Sequence, residues 1–327
     1  METRTTGQHV SGHRGFSWLI VLSALLLSGC EAPLVLDGVE ARRAEPIHRM
    51  DRYQAAARQG DNMVVVGNQG VILRSADQGA QWQRQVLAGW PALIDVTACP
   101  NGHFVALAYD KTIYVSADQG ASWTEKSINN TEETPQAIAC APDGKLWIVG
   151  SFAYVWSSPD EGESWTESSS GEDAILTTVQ FFDADNGIIT GEFGTVMRTT
   201  DSGENWDLLA PLPDEFYPEG AYFSDAEHGW VVGLGGTVLY TSDGGDSWVQ
   251  QPTGTQVSLF SLEAQGDALY AVGGEGTMLR YADGRWVPVD HGKPVRLYLR
   301  VLQALDSGRL LIGGIAGALH IFDPTGA

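Results

Sequence analysis

Short apolar runs of strand length recur along the chain at a regular interval, each pair separated by a glycine-bearing turn. Met63 to Val66 is apolar, Gly67-Asn-Gln-Gly70 supplies a turn, and Val71 to Arg74 resumes the run, a pattern that predicts a β-hairpin. The Gly-x-x-Gly spacing returns at Gly191 to Gly194, Gly233 to Gly236, Gly273 to Gly276 and Gly314 to Gly317. Glycine suits such turns because it accepts positive φ. None of these segments is followed by Lys-Ser or Lys-Thr and none opens a helical pattern, so they do not read as phosphate loops.

A second element follows each hairpin. Ser75-Ala-Asp-Gln-Gly-Ala-Gln-Trp82 recurs as Ser116 to Trp123, Ser158 to Trp165, Thr199 to Trp206 and Thr241 to Trp248. Two weaker copies complete the series, Tyr281-Ala-Asp-Gly-Arg-Trp286, which is shorter by two residues, and Ile321-Phe-Asp-Pro-Thr-Gly326. The aspartates are Asp77, Asp118, Asp160, Asp201, Asp243, Asp283 and Asp323, at intervals of 41, 42, 41, 42, 40 and 40. That period matches one four-stranded propeller blade. The expected fold is all-β, a seven-bladed β-propeller of four-stranded antiparallel blades. The last repeat supplies only three strands, about 298–305, 309–313 and 318–322. Pro33 to Glu40, with Leu34, Val35, Leu36 and Val39, is therefore expected to add the missing strand and close the ring.

The Ser/Thr-x-Asp-x-Gly-x-x-Trp element resembles the Asp box of sialidase-type and related propellers. Its chemistry is structural: carboxylate and hydroxyl hold turn backbone, glycine permits the bend and tryptophan packs between layers. Seven aspartates spread around a ring do not converge on a catalytic point, and no ligand spacing specifies a metal. No cofactor is expected.

Charge narrows the partner class. Lys and Arg number 19 against 41 Asp and Glu, a formal net charge of -22. An acidic body without a run of Lys and Arg is a poor fit to nucleic acid. At the N-terminus, Arg14 precedes the apolar stretch Phe16 to Leu27, too short to span a bilayer comfortably, and Leu27-Ser28-Gly29-Cys30 resembles a lipobox. The expected organisation is a lipoprotein signal peptide over 1–29, a lipidated tether and closing strand over 30–44, and the propeller over 45–327. Lipidation at Cys30 implies export from a bacterial cytoplasm. Glu31, rather than Asp, favours the outer membrane facing the periplasm over the inner membrane. Cys99 and Cys140 sit 41 residues apart at matching places in adjacent repeats, which leaves two readings open, a disulfide between neighbouring blades or two buried thiols.

Five strict Asp boxes, the Gly-x-x-Gly hairpins, and phrases such as Asp185-Asn-Gly-Ile-Ile-Thr-Gly191 and Glu227-His-Gly-Trp-Val-Val-Gly233 resemble the photosystem II assembly factor family, called Ycf48 in plastids and cyanobacteria and Hcf136 in plants. The resemblance covers nearly all of residues 45–323. It implies a seven-bladed propeller that chaperones assembly of a membrane protein complex without enzymatic activity. It also implies an arginine patch for partner binding. Here Arg74, Arg198 and Arg280 stand three residues before the box aspartate, whereas Val115, Ser157, Tyr240 and His320 fill that place in other blades. Two readings of the arginines stay open, a partner-binding cluster or local pairing with carboxylates. The expected partner is a membrane protein or protein complex, and the chain is read as a monomer. The competing function is a carbohydrate-binding or glycoside-hydrolysing propeller of the sialidase kind. The chain offers Tyr53, Tyr217, Tyr222 and Tyr298 but lacks the Arg-Ile-Pro opening of sialidases. The insertion Ala210 to Glu219 could form the rim of a central pocket or a solvated connection.

Overall fold

The computed structural model describes residues 38–128, 132–293, 296 and 298–325. The signal segment and Cys30 lie outside the described residues. Seven antiparallel sheets follow one another in chain order, the first built from Tyr53–Gln59, Asn62–Gly67, Val71–Ser75 and Gln83–Val86, the last from Leu299–Ala304, Leu310–Gly314 and Leu319–Phe322. Each is a blade, and its first strand packs against the first strands of both neighbours, so the seven first strands form a closed inner ring. This is the seven-bladed propeller that the repeat predicts.

The burial pattern explains the order of strands. The second strand of each blade is almost wholly apolar and buried, as in Phe104–Ala108 and Leu146–Gly150, because sheets cover both of its faces. The fourth strands, such as Thr124–Ser127 and Thr166–Ser169, are polar and exposed at the perimeter. Seven apolar clusters fill the seven seams between blades. One of them joins Tyr53, Met63, Val65 and Leu73 of blade 1 to Val301, Leu305 and Leu311 of blade 7, which closes the ring by packing.

The expected closing strand over 33–40 is described only from residue 38. Residues 33–37 lie outside the described residues. Gly38 takes a left-handed φ of 83° and Val39–Ala44 forms a short helix, in keeping with its run of Glu, Ala and Arg. Among the described residues blade 7 keeps three strands. The chain reaches it instead through a single antiparallel bridge, Arg52 with Ile315, and a hydrogen bond from Gly317 N to Asp51 O.

Asp51 secures that segment. Its side chain is 3% exposed and accepts hydrogen bonds from His48 N (2.7 Å), Tyr53 Oη (2.8 Å) and both terminal nitrogens of Arg84 (2.8 and 2.9 Å). Arg84 also donates to Pro46 O (3.0 Å). Burial alone would raise the Asp51 pKa, but the bonds from Arg84, His48 and Tyr53 outweigh it and hold the carboxyl below its ordinary value. Neither residue belongs to the repeat, so this clasp carries no periodic signal.

Because the strands alternate in direction, the loops sort onto two faces. The Asp boxes, between third and fourth strands, share one face with the turns between first and second strands, as bonds such as Gln78 N to Asp61 O and Ser202 N to Asp185 O show. The Gly-x-x-Gly turns share the other face with the linkers between blades, as Leu87 N to Gly70 O and Leu212 N to Gly194 O show. Among the described residues no helix is long and apolar enough to cross a membrane.

Candidate functional site

Three regions of the propeller present chemistry: the Asp-box face, the arginines beside it, and the central channel. In each of the five strict boxes the Ser or Thr hydroxyl donates to the aspartate and accepts the backbone N–H four residues on. For Ser75 these bonds are 2.8 Å to Asp77 Oδ1 and 2.8 Å from Gly79 N, and Gln81 N closes the loop on Asp77 at 2.8 Å. Asp118, Asp160, Asp201 and Asp243 repeat the arrangement. The hydrogen bonds hold these carboxyls below the usual range, Asp118 to about 2 through the side chain and backbone of Ser122. Every carboxylate is thus occupied by its own turn.

The last two boxes differ. Shortening by two residues leaves Asp283 in a tight two-residue turn with Gly284, at φ 52° and 78°, between paired Ala282 and Arg285. Among the described residues Asp323 accepts from Thr325 N (2.9 Å) and Thr325 Oγ1 (2.6 Å), and Ile321 replaces the hydroxyl residue.

Arg74, Arg198 and Arg280 lie on blades 1, 4 and 6, which are not neighbours. Two of them brace the ring. Arg74 Nε donates to Gln119 O (2.8 Å) and Arg198 donates to Gly244 O (3.2 Å), in each case the carbonyl just after the box aspartate of the next blade. Arg198 also pairs with Asp246 at 3.3 Å. Lys126 makes the equivalent contact from blade 2 to Glu161 O (2.8 Å). Arg280 is exposed and borders a hollow of about 400 Å³ with Tyr270, Asp290 and Phe322. Sequence reasoning missed the brace, because its acceptor is a backbone carbonyl about 45 residues away.

The channel is lined by the first strands and encloses about 280 Å³. Arg300 of blade 7 reaches Glu219 of blade 5 at 3.2 Å and lies over the Phe260 ring of blade 6 at 5.5 Å. Two further carboxylates serve the seams. Asp95 accepts from Val96 N (2.8 Å) and from Ile138 N of the next blade (2.9 Å), while Glu263 accepts from Ala304 N (2.9 Å) and Gln303 Nε2 (3.1 Å). Gln180 does the same for Phe223, donating to its carbonyl and accepting from its N–H, both at 2.9 Å. Of the insertion Ala210 to Glu219, residues 210–217 are a linker between blades 4 and 5, pinned by buried Leu212, and the last two begin the first strand of blade 5, where Glu219 lines the channel. Among the described residues no group of three or more His, Cys, Asp or Glu could hold a metal ion.

Asp95 and Glu263 retain some accessible surface in the channel but are ringed by protein. Desolvation therefore dominates, raising Asp95 to about 6 and Glu263 to about 7 against the opposing backbone bonds. A raised carboxyl binds its proton more tightly when folded, so its contribution to stability is full below about pH 4 and is lost as pH rises through the folded value. His320, lowered to about 4 by burial and by His291, slopes the other way. The comparison is therefore differential. Glu263→Gln is expected to gain stability relative to the parent chain between pH 4 and pH 8 in urea melts, and a pH-independent difference would count against this assignment.

Cys99 and Cys140 are joined by a disulfide that links the ends of the first strands of blades 2 and 3.

A family model described as photosynthesis system II assembly factor YCF48 matches residues 127–200 and 199–290. Among solved structures, YCF48 from Cyanidioschyzon merolae aligns with TM-score 0.69 and 17% identity over 86% of this chain and 98% of that one. A YCF48 bound to D1 peptide gives TM-score 0.71 and 15% identity over 86% and 93%. A catalytically inactive virginiamycin B lyase from Staphylococcus aureus with quinupristin gives 0.73 and 11% over 84% and 96%. At these identities the likeness shows the fold alone. No curated protein sequence matches significantly. The two matched stretches together run from residue 127 to residue 290, half of the chain, and on that ground the protein belongs to the photosynthesis system II assembly factor YCF48 family.

Proposed function

We propose that this chain is a non-catalytic scaffold that binds a segment of a membrane protein and assists assembly of the complex containing it. The family match across blades 3 to 6 is the observation that carries the reading. The architecture is consistent with it. Blades braced to one another by Arg74, Lys126 and Arg198 make a stiff platform, which limits the ordering cost of holding a flexible partner segment. A relative has been solved with a D1 peptide bound. The tether reading adds lipidation at Cys30 and an outer-membrane position facing the periplasm. The disulfide supports export, since such bonds persist in oxidising compartments.

Crosslinking in native cells followed by capture of the tagged protein tests this. Arg280→Glu is the informative variant, because Arg280 is exposed and contacts no neighbouring blade through a hydrogen bond or ion pair among the described residues, whereas reversing Arg74 or Arg198 also breaks a brace. Capture of one membrane protein, weakened about tenfold in the variant, is the expected result, the scale of one charge-assisted contact. Capture unchanged by Arg280→Glu would remove that arginine from the binding face. No membrane protein at all would count against the scaffold.

A further inference from the structure

The exposed apolar side chains are distributed unevenly. Among the described residues nine large apolar side chains stand exposed. Val86, Leu208 and Val249 lie on fourth strands at the perimeter. The other six are Met50, Trp90, Tyr109, Phe152, Phe193 and Leu234, and all belong to turns or linkers of the face opposite the Asp boxes. They form an arc from the entry of the chain through blade 5, and each is more than half exposed.

Folding does not account for them. Phe152 and Phe193 occupy the tips of equivalent turns at φ 52° and 56°, where blade 5 places Gly235 and blade 6 the polar Glu275. Trp90 is also left-handed, at φ 55°. A bulky residue in that region is strained, and here Phe152 and Phe193 are left 51% and 59% exposed, with less than half of each buried in return. Glycine would relieve the strain and a charged residue would improve solubility; an exposed phenylalanine does neither.

We propose that this face rests on the bilayer, with the arc of aromatic and aliphatic tips inserted into the lipid headgroup region; the proposal rests on the tether reading given above. Two observations favour lipid over protein. The six side chains stand on separate turns of different blades, as shallow interfacial insertion requires, whereas a protein hot spot is a close-packed, desolvated centre. The chain also enters on this side. His48 to Arg52 run against the blade 7 turn, with Gly317 N bonded to Asp51 O. Fourteen residues lie between Cys30 and Glu45, a contour of at most about 50 Å, so a lipid on Cys30 holds this face within reach of the membrane. The Asp-box face, with Arg74 and Arg198 beside it, is then turned toward soluble loops of a partner. Zwitterionic lipid suits the acidic body.

The test uses the full lipidated chain bound to vesicles of phosphatidylcholine and phosphatidylethanolamine, with a nitroxide label at Tyr109→Cys, Phe193→Cys or Leu234→Cys, and at Glu204→Cys on the Asp-box face. The expected result is that labels on the three tips are shielded several-fold from a water-soluble relaxing agent and reached by oxygen, while the label at position 204 stays aqueous. In the Phe152→Ser/Phe193→Ser background the shielding at position 234 is expected to fall. Tips as aqueous as position 204 on a chain that still floats with vesicles would overturn the proposal and leave the tether standing. Shielding that appears only with native membranes, never with pure lipid, would overturn it in favour of a protein partner. A chain that fails to float would overturn the proposal together with the tether.

Discussion

Replacing Cys99 and Cys140 together with alanine is expected to lower stability by at least about 4 kcal/mol, of which dithiothreitol should reproduce the crosslink part on the parent chain. The bond closes a loop with a sequence separation of 41 residues, and the chain-entropy relation assigns a loop of that length about 4 kcal/mol. It also ties two blades whose shared seam is packed with Val105, Leu107, Ile113, Ile138, Leu146 and Trp156. Cys99 is buried among them, so its loss removes packing as well as the crosslink. Urea melts of both forms would check this. A difference below about 1 kcal/mol would mean that the unfolded chain is already restrained in this region.

Gly203→Ala is expected to be nearly as damaging, at about 3 kcal/mol, whereas Gly235→Ala should cost about 1 kcal/mol. Gly203 belongs to the blade 4 Asp box at φ 81°, and a methyl there would overlap the indole carbons of Trp147 from blade 3. That ring cannot move aside easily, since Trp206 and Phe181 hold it with centroids at 5.7 and 5.4 Å. The cost joins left-handed strain to overpacking. Gly235 has comparable φ, 66°, but a methyl there meets nothing within 4 Å, so only the backbone strain remains. Equal losses in the two variants would show that the box does not lock adjacent blades.

The contrast shows what the sequence makes legible. Each Asp box writes its hydrogen bonds within eight residues, so Ser75, Asp77 and Gly79 announce the turn and its period announces the ring. The Gly-x-x-Gly hairpins are equally local. What joins one blade to the next is not local. Arg74 and Arg198 seek carbonyls one blade away, and nothing near them in the chain marks a carbonyl as an acceptor. Asp95, Glu263 and Gln180 likewise look like ordinary polar residues on first strands, yet each satisfies the backbone of the neighbouring blade. Over 38–40 the apolar pattern does not by itself distinguish a strand from what the structure has there, a left-handed glycine and the start of a short run of good helix formers. The clasp that stands near the closure, Asp51 with Arg84, is a pair without periodicity. The exposed apolar arc on the opposite face is legible only once the strand directions assign each turn to a side.

The single bridge between Arg52 and Ile315 gives the ring a mechanical weak point. Tension applied to the chain ahead of Glu45 is borne first by the His48–Asp51–Arg84 contacts and then by that bridge, before any complete blade is loaded. These bonds peel one after another, while the ladder between Tyr53–Gln59 and Asn62–Gly67 lies behind them. A chain pulled from ahead of Glu45 would therefore open at the junction of blades 7 and 1, shedding load at the seam while blades 2 to 6 remain folded.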